Sequence, residues 1–255
     1  MGGEPASESW WKPNIRRNKE DFARQFEDWA AQYDETVWQA RGKYADVFQG
    51  YGAILTRTAD LVGLERGAVV ADVGAGTGNL TLELLRRGYQ VEAVEPSPAM
   101  REMIRRKLPD VRIWDGAFLN LPLGDATADA VVSSYAFHHL TDAEKFHGIL
   151  EMLRVLKPDG RLVVTDILFL SDEARRQRYY ELGRQGRTDF VAELEAEPYT
   201  TVLILDDLLK RAGLVTRWEQ LSPWVWTVVA DRQPHPGSSG SPGFGSSLTQ
   251  SPITS

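Results

Sequence analysis

Residues 69–80 read Val69-Val70-Ala71-Asp72-Val73-Gly74-Ala75-Gly76-Thr77-Gly78-Asn79-Leu80, and this stretch decides the fold. It begins as an apolar, β-branched run of the kind that forms a buried strand. Glycines follow at alternate positions, and Leu80, Leu82, Leu84 and Leu85 then open a helical pattern. A strand that turns on glycines into a helix brings bare backbone N–H groups against a ligand, where any Cβ would hold that ligand off. Gly88 ends the helix, Tyr89–Val94 reads as a second strand, and Glu95 stands at its tip. An acidic residue about 20 positions past a glycine loop is placed to accept hydrogen bonds from ribose hydroxyls. Those features fit any nucleoside-containing cofactor.

Spacing separates the candidates. A dinucleotide fingerprint has the pattern G-x-G-x-x-G, and Asn79 stands where its third glycine belongs, which argues against a nucleotide-dependent dehydrogenase. The pattern is instead G-x-G-x-G preceded by Asp72. Asp72–Gly78 together with Val94-Glu95-Pro96-Ser97 resembles the class I S-adenosylmethionine-dependent methyltransferases. Phe26–Asp34 and Glu95–Met100 are similar to segments of the YrrT-like group of small bacterial methyltransferases, and the likeness runs over roughly residues 20–232. It implies an α/β fold: a Rossmann-like, doubly wound, seven-stranded, mostly parallel sheet with one antiparallel edge strand, lidded by N-terminal helices. It also implies S-adenosylmethionine as cofactor. The cofactor contacts it implies are Tyr33, Asp72, Gly74, Ala75, Gly76, Thr77, Gly78, Asn79, Glu95, Pro96 and Met100. After the third strand they are Asp115, Gly116, Ala117 and Phe118, and after the fourth Ser134, Tyr135 and Ala136. Alignment on Leu121-Pro122 puts Ala117 where the family carries an acid for the adenine amino group, a departure that leaves Asp115, a backbone carbonyl or water for that role.

Composition bounds the rest. A net charge of −7 argues against a chain whose main work is gripping nucleic-acid phosphates. Cysteine is absent, which excludes disulfides and thiolate chemistry. No apolar run approaches a membrane span, and the lack of a signal-peptide core points to the cytoplasm. Residues 1–18 are expected to be a flexible segment, 19–63 a helical cap, 68–170 the cofactor-binding core, 171–197 a helical insertion on the acceptor side and 233–255 a disordered Pro/Gly/Ser-rich tail. Phe22, Phe26, Trp29, Ala30, Tyr33 and Val37 share one helical face, and 44–63 repeat the helical period to Gly63. Lys157-Pro158-Asp159-Gly160 reads as a tight turn from a helix into the strand Arg161–Ile167, and Thr200 as the cap of a last helix.

His138 and His139 follow the fourth strand, whose carboxyl end faces the ligand crevice in such sheets. They are candidates for a general base. A pocket-lining role is the plainer expectation, because a His-His-Leu here is widespread in the family among enzymes with unrelated acceptors. A metal site is not expected, since no acid or histidine lies near them at ligand spacing in the sequence. The function expected is methyl transfer from the sulfonium to a small molecule. The alternatives are an RNA or protein acceptor, and a catalytically silent partner that only binds the cofactor.

Overall fold

The computed structural model describes residues 30–233. The expectations for residues 1–29, including Phe22, Phe26 and Trp29, and for the tail beyond Gln233 lie outside the described residues. Helix α1 spans Ala30–Gln39. A 3-10 turn at Gly42–Tyr44 leads into α2 (Ala45–Phe48) and then α3 (Tyr51–Val62). The expected single helix over 44–63 is therefore broken: Gln49 is non-helical and Gly50 turns left-handed at φ 77°. Gly63, at φ 59°, ends α3 as the sequence suggests.

Strand β1 (Val69–Val73) feeds α4 (Asn79–Arg86), and β2 (Gln90–Val94) feeds α5 (Pro98–Lys107). Ser97 caps α5 by accepting the Met100 N–H, with Pro98 in the first turn. After β3 (Arg112–Trp114) and β4 (Ala128–Ser134), α6 (Asp142–Val155) starts with a capping box between Thr141 and Glu144. Strand β5 spans Leu156–Ile167. Here the expected tight turn is corrected. Leu156 already pairs with Ala128, pairing resumes at Ala130 and Arg161, and 157–160 bulge out between them. Helices α7 (Asp172–Arg184), α8 (Thr188–Ala196) and α9 (Val202–Arg211) precede the last strands, β6 (Leu214–Gln220) and β7 (Val225–Arg232). Thr201, not Thr200, caps α9 by accepting the Ile204 N–H.

The sheet order is β3-β2-β1-β4-β5-β7-β6. All neighbours from β3 to β5 run parallel, and β7 alone opposes both of its neighbours, one place in from the edge. Alternation along the strands sends side chains to two cores. Val70, Ala130, Val132 and Val163 pack beneath α3 and α4, in a cluster that extends to α7 and α8. Ala71, Val73, Val131, Leu162 and Val164 pack against α6 and α9. Strand order reverses between β1 and β4, so a crevice opens above their carboxyl ends, where ligands bind in open α/β sheets. Among the described residues, no helix is long and apolar enough to cross a membrane.

Candidate active site

The glycine loop sits at that crevice. Gly74, Gly76 and Gly78 all have positive φ, at 73°, 56° and 82°, which a side-chain-bearing residue rarely adopts. They do different work. A Cβ on Gly74 would stand 2.5 Å from the Cβ of Ala136, so this glycine lets β1 and the end of β4 come together. A Cβ on Gly76 would meet nothing within 4 Å and would protrude into the cavity the loop lines. A Cβ on Gly78 would approach Ile104 of α5, so this glycine serves helix packing. The Gly74 and Ala75 N–H groups donate to the Val94 carbonyl and pin the loop to the end of β2.

Glu95 lies beside the loop and is buried. Its Oε2 accepts the Gly76 N–H at 2.9 Å and its Oε1 the Ser97 N–H at 2.8 Å. Burial pushes its carboxyl up to about 7, against the lowering pull of those two N–H groups. Asp72 lies behind the loop, outside the cavity lining, where its Oδ2 accepts the Thr81 hydroxyl at 2.6 Å. Burial lifts it as well, to about 7, and its Oδ1 has no hydrogen-bond partner among the described residues.

A cavity of about 580 Å³ runs from this loop to the helices beyond β5. Of the sequence-derived cofactor contacts, Tyr33, Gly74, Ala75, Gly76, Thr77, Asn79, Glu95, Pro96, Met100, Phe118, Ser134, Tyr135 and Ala136 line it. Asp72, Gly78, Asp115, Gly116 and Ala117 do not. Asp115 faces Arg101 in a 3.1 Å ion pair, and Gly116 is packed so closely on Pro122 that a Cβ would come within 2.4 Å. The residues present fit an adenosyl cofactor: a loop open enough for backbone contact, a buried carboxyl at the ribose position and aromatic walls.

Helix α1 is latched to the loop. Asp34 accepts from the Thr77 hydroxyl at 2.5 Å and the Asn79 amide at 2.9 Å, and pairs with Lys107 at 2.8 Å. Burial works to raise its carboxyl, and the hydrogen bonds from Lys107, Thr77 and Asn79 overcome that and leave it below the usual range. Beside it, Tyr51 and Tyr135 pack at 5.4 Å between ring centroids, and the buried Tyr135 hydroxyl has no hydrogen-bond partner among the described residues.

At the far end, His138 and His139 sit in a 3-10 turn (Phe137–His139) after β4. The tertiary fold supplies the acids that sequence spacing did not show. Asp166, at the end of β5, bonds His138 Nδ1 at 2.6 Å and accepts the His138 backbone N–H at 2.8 Å. Burial acts to raise the Asp166 carboxyl, but the imidazole of His138 and the surrounding donors hold it below its usual range. Glu197, just past α8, meets His139 Nδ1 at 3.1 Å. Burial and the neighbouring His138 press the His139 imidazole down to about 4, so it is neutral near pH 7. Tyr199 stacks on His138 at 5.1 Å between centroids. Buried Lys145 donates to the carbonyls of Leu140 and Pro198 and thereby fixes the segment carrying Glu197 and Tyr199. Asp166 had one signal in the sequence, an acid inside the apolar run 162–168. Glu197 had none.

The comparisons with known proteins bear on the family and the fold. A methyltransferase domain family matches residues 71–164. The chain is 41% identical over 214 residues to an uncharacterized methyltransferase of Geobacillus kaustophilus, covering 84% of this chain and 98% of that protein. It is 39% identical over 211 residues to the uncharacterized methyltransferase YrrT of Bacillus subtilis, covering 82% and 97%. Among solved structures, a geranyl diphosphate methyltransferase in complex with GPP and sinefungin superposes with a TM-score of 0.66 at 17% identity, over 84% of this chain and 98% of that one. A putative methyltransferase in complex with the Haloferax volcanii Trm112 activator gives 0.64 at 17% identity, over 85% and 99%. The relatives carry the family and the structures the fold. This chain is a member of the class I S-adenosylmethionine-dependent methyltransferases, in the YrrT-like group.

Proposed function

We propose that this enzyme moves a methyl group by in-line displacement onto a small-molecule acceptor held at the His138–Glu197 end of the cavity. The observation that carries the reading is the continuity of one cavity, with the glycine loop and Glu95 at one end and His138, His139, Glu197 and Tyr199 at the other. S-adenosylmethionine supplies a methyl group whose leaving group is a neutral thioether. The chain's own residues do the holding. Gly74–Asn79 and Glu95 orient one partner, while Tyr44, Phe48 and Tyr199 wall the other end and exclude water. A cavity of about 580 Å³ roofed by α1 and α8 suits a metabolite-sized acceptor. Where that acceptor is a weak acid its proton must leave as the new bond forms, and His138, His139 and Glu197 are among the polar groups that line this end.

The test is incubation of the protein with methyl-labelled cofactor and a metabolite extract, then identification of the labelled product. Label in a small molecule supports the reading. Label found solely in RNA or protein, or in nothing across diverse extracts, overturns it.

A further inference from the structure

We infer that His138, His139 and Glu197 form a binding site for a divalent first-row transition metal at the acceptor end of the cavity. One potential donor atom from each of the three lies within 4.8 Å of the others. The His139 Nδ1 and Glu197 Oε2 stand 3.1 Å apart. That is about the spacing of neighbouring ligands on one ion with metal–ligand bonds of about 2.0–2.2 Å. A cation between them replaces their shared hydrogen, and the imidazole proton moves to the outer nitrogen of His139.

His138 is held as a metal-ligating histidine is held. Asp166 accepts from its Nδ1, at 2.6 Å, and an ionised carboxylate can only accept. The Nδ1 therefore carries the proton, and the lone pair of the neutral ring is on Nε2. A carboxylate behind a histidine is the outer-shell partner that fixes ring orientation and raises ligand basicity at metal centres. Asp166 is itself fixed by the N–H groups of His138 and Ile167. Glu197 is half-buried and directly follows the end of α8.

Donor chemistry selects the ion. Two imidazoles and one carboxylate suit Zn²⁺, Fe²⁺, Co²⁺ or Ni²⁺ rather than the oxygen-seeking Mg²⁺ or Ca²⁺. Among the described residues three ligands converge, the number that catalytic centres use when they keep a position for substrate. The hydroxyl or thiol of an acceptor placed there would bind in its deprotonated form near neutral pH, its proton passing to solvent. This last step rests on the methyl-transfer reading; metal binding itself does not.

Cobalt titration of the full-length protein separates the two. The expected result is one Co²⁺ per chain with visible d–d bands of nitrogen and oxygen ligation, displaced by Zn²⁺ and not by Mg²⁺. His139→Gln and Glu197→Ala should each weaken binding by at least the roughly 10–100-fold seen when outer-shell partners are lost. Asp166→Asn should weaken it within that range. Calorimetric titration with S-adenosylhomocysteine reports whether each variant keeps its fold. No stoichiometric Co²⁺ in the parent protein, or undiminished binding in both a folded His139→Gln and a folded Glu197→Ala protein, overturns the site. If one variant misfolds, the other decides. Failure here leaves the methyl-labelling result standing, because the titration reads no transfer.

Discussion

At the residue scale, the end of the cavity proposed for the cofactor is built from a backbone without side chains and one buried carboxyl. Glu95 is held by the N–H groups of Ser97 and Gly76, and its carboxyl is lifted to about 7 by burial. On the proposed placement of the cofactor, ribose hydroxyls would donate to it and favour the ionised form. Cofactor affinity should therefore rise as pH goes from about 6 to about 8, with proton release on binding. Calorimetry in two buffers of different ionisation enthalpy checks this, and the dependence should flatten in Glu95→Gln. Glu95→Ala should cost on the order of 10–100-fold in affinity, the worth of one or two charged hydrogen bonds. Gly76→Val should abolish binding, because its side chain would enter the cavity at a residue with φ of 56°.

The same carboxyls have a consequence for stability. The folded-state pKa values of Asp72 and Glu95 both lie above the usual carboxylate range, at about 7. Between that range and 7 the folded protein binds more protons than the unfolded chain, so these groups lower stability as pH rises through that window. Cofactor-free protein should show a falling Tm from about pH 5 to pH 7.5, and Asp72→Asn should reduce the slope.

At the element scale, α1 is tied down through Asp34, which joins Thr77, Asn79 and Lys107. Asp34→Ala leaves Lys107 without its carboxylate and frees the loop hydroxyl and amide. A loss of about 1–3 kcal/mol is expected, with faster amide exchange confined to α1 and the start of α4. Exchange that accelerates equally across β1, β4 and β5 would show that Asp34 supports the whole domain rather than the lid. Helices α7 and α8 were legible as helical, from Tyr179, Leu182 and Phe190, all of which join the core or its edge. Tyr180, from the same run, is instead exposed. The break at Gly50 was less visible, because the apolar period of 44–63 continues through it; the left-handed turn there redirects the chain without changing the pattern.

At the scale of the whole molecule, α1, the loop after β1, the tip of β2 and the end of β4 all line one cavity, so a cofactor bound there as proposed should stabilise the domain as one unit. S-adenosylhomocysteine at about 100 times its Kd should add about 2.7 kcal/mol and raise Tm in a single transition, while NAD should leave Tm unchanged. A shift with NAD comparable to that with S-adenosylhomocysteine would contradict the reading of the G-x-G-x-G spacing.

Although the order of the sheet came from the tertiary structure, the sequence taken alone determined most of the strands and helices and singled out the glycine bend and Glu95 as the candidate donor end. Those features are local or periodic: alternating apolar runs make strands, a bend needs residues without Cβ, and Glu95 lies one strand away from that bend. Tertiary structure decided the acceptor end. Asp166 comes from β5 and Glu197 from beyond α8, and each meets a histidine after β4 across 28 and 58 residues of chain. No spacing rule reaches that far, because such contacts are fixed by how the helices pack over the sheet. The lid latch between Asp34 and Lys107, 73 residues apart, was invisible in the sequence for the same reason.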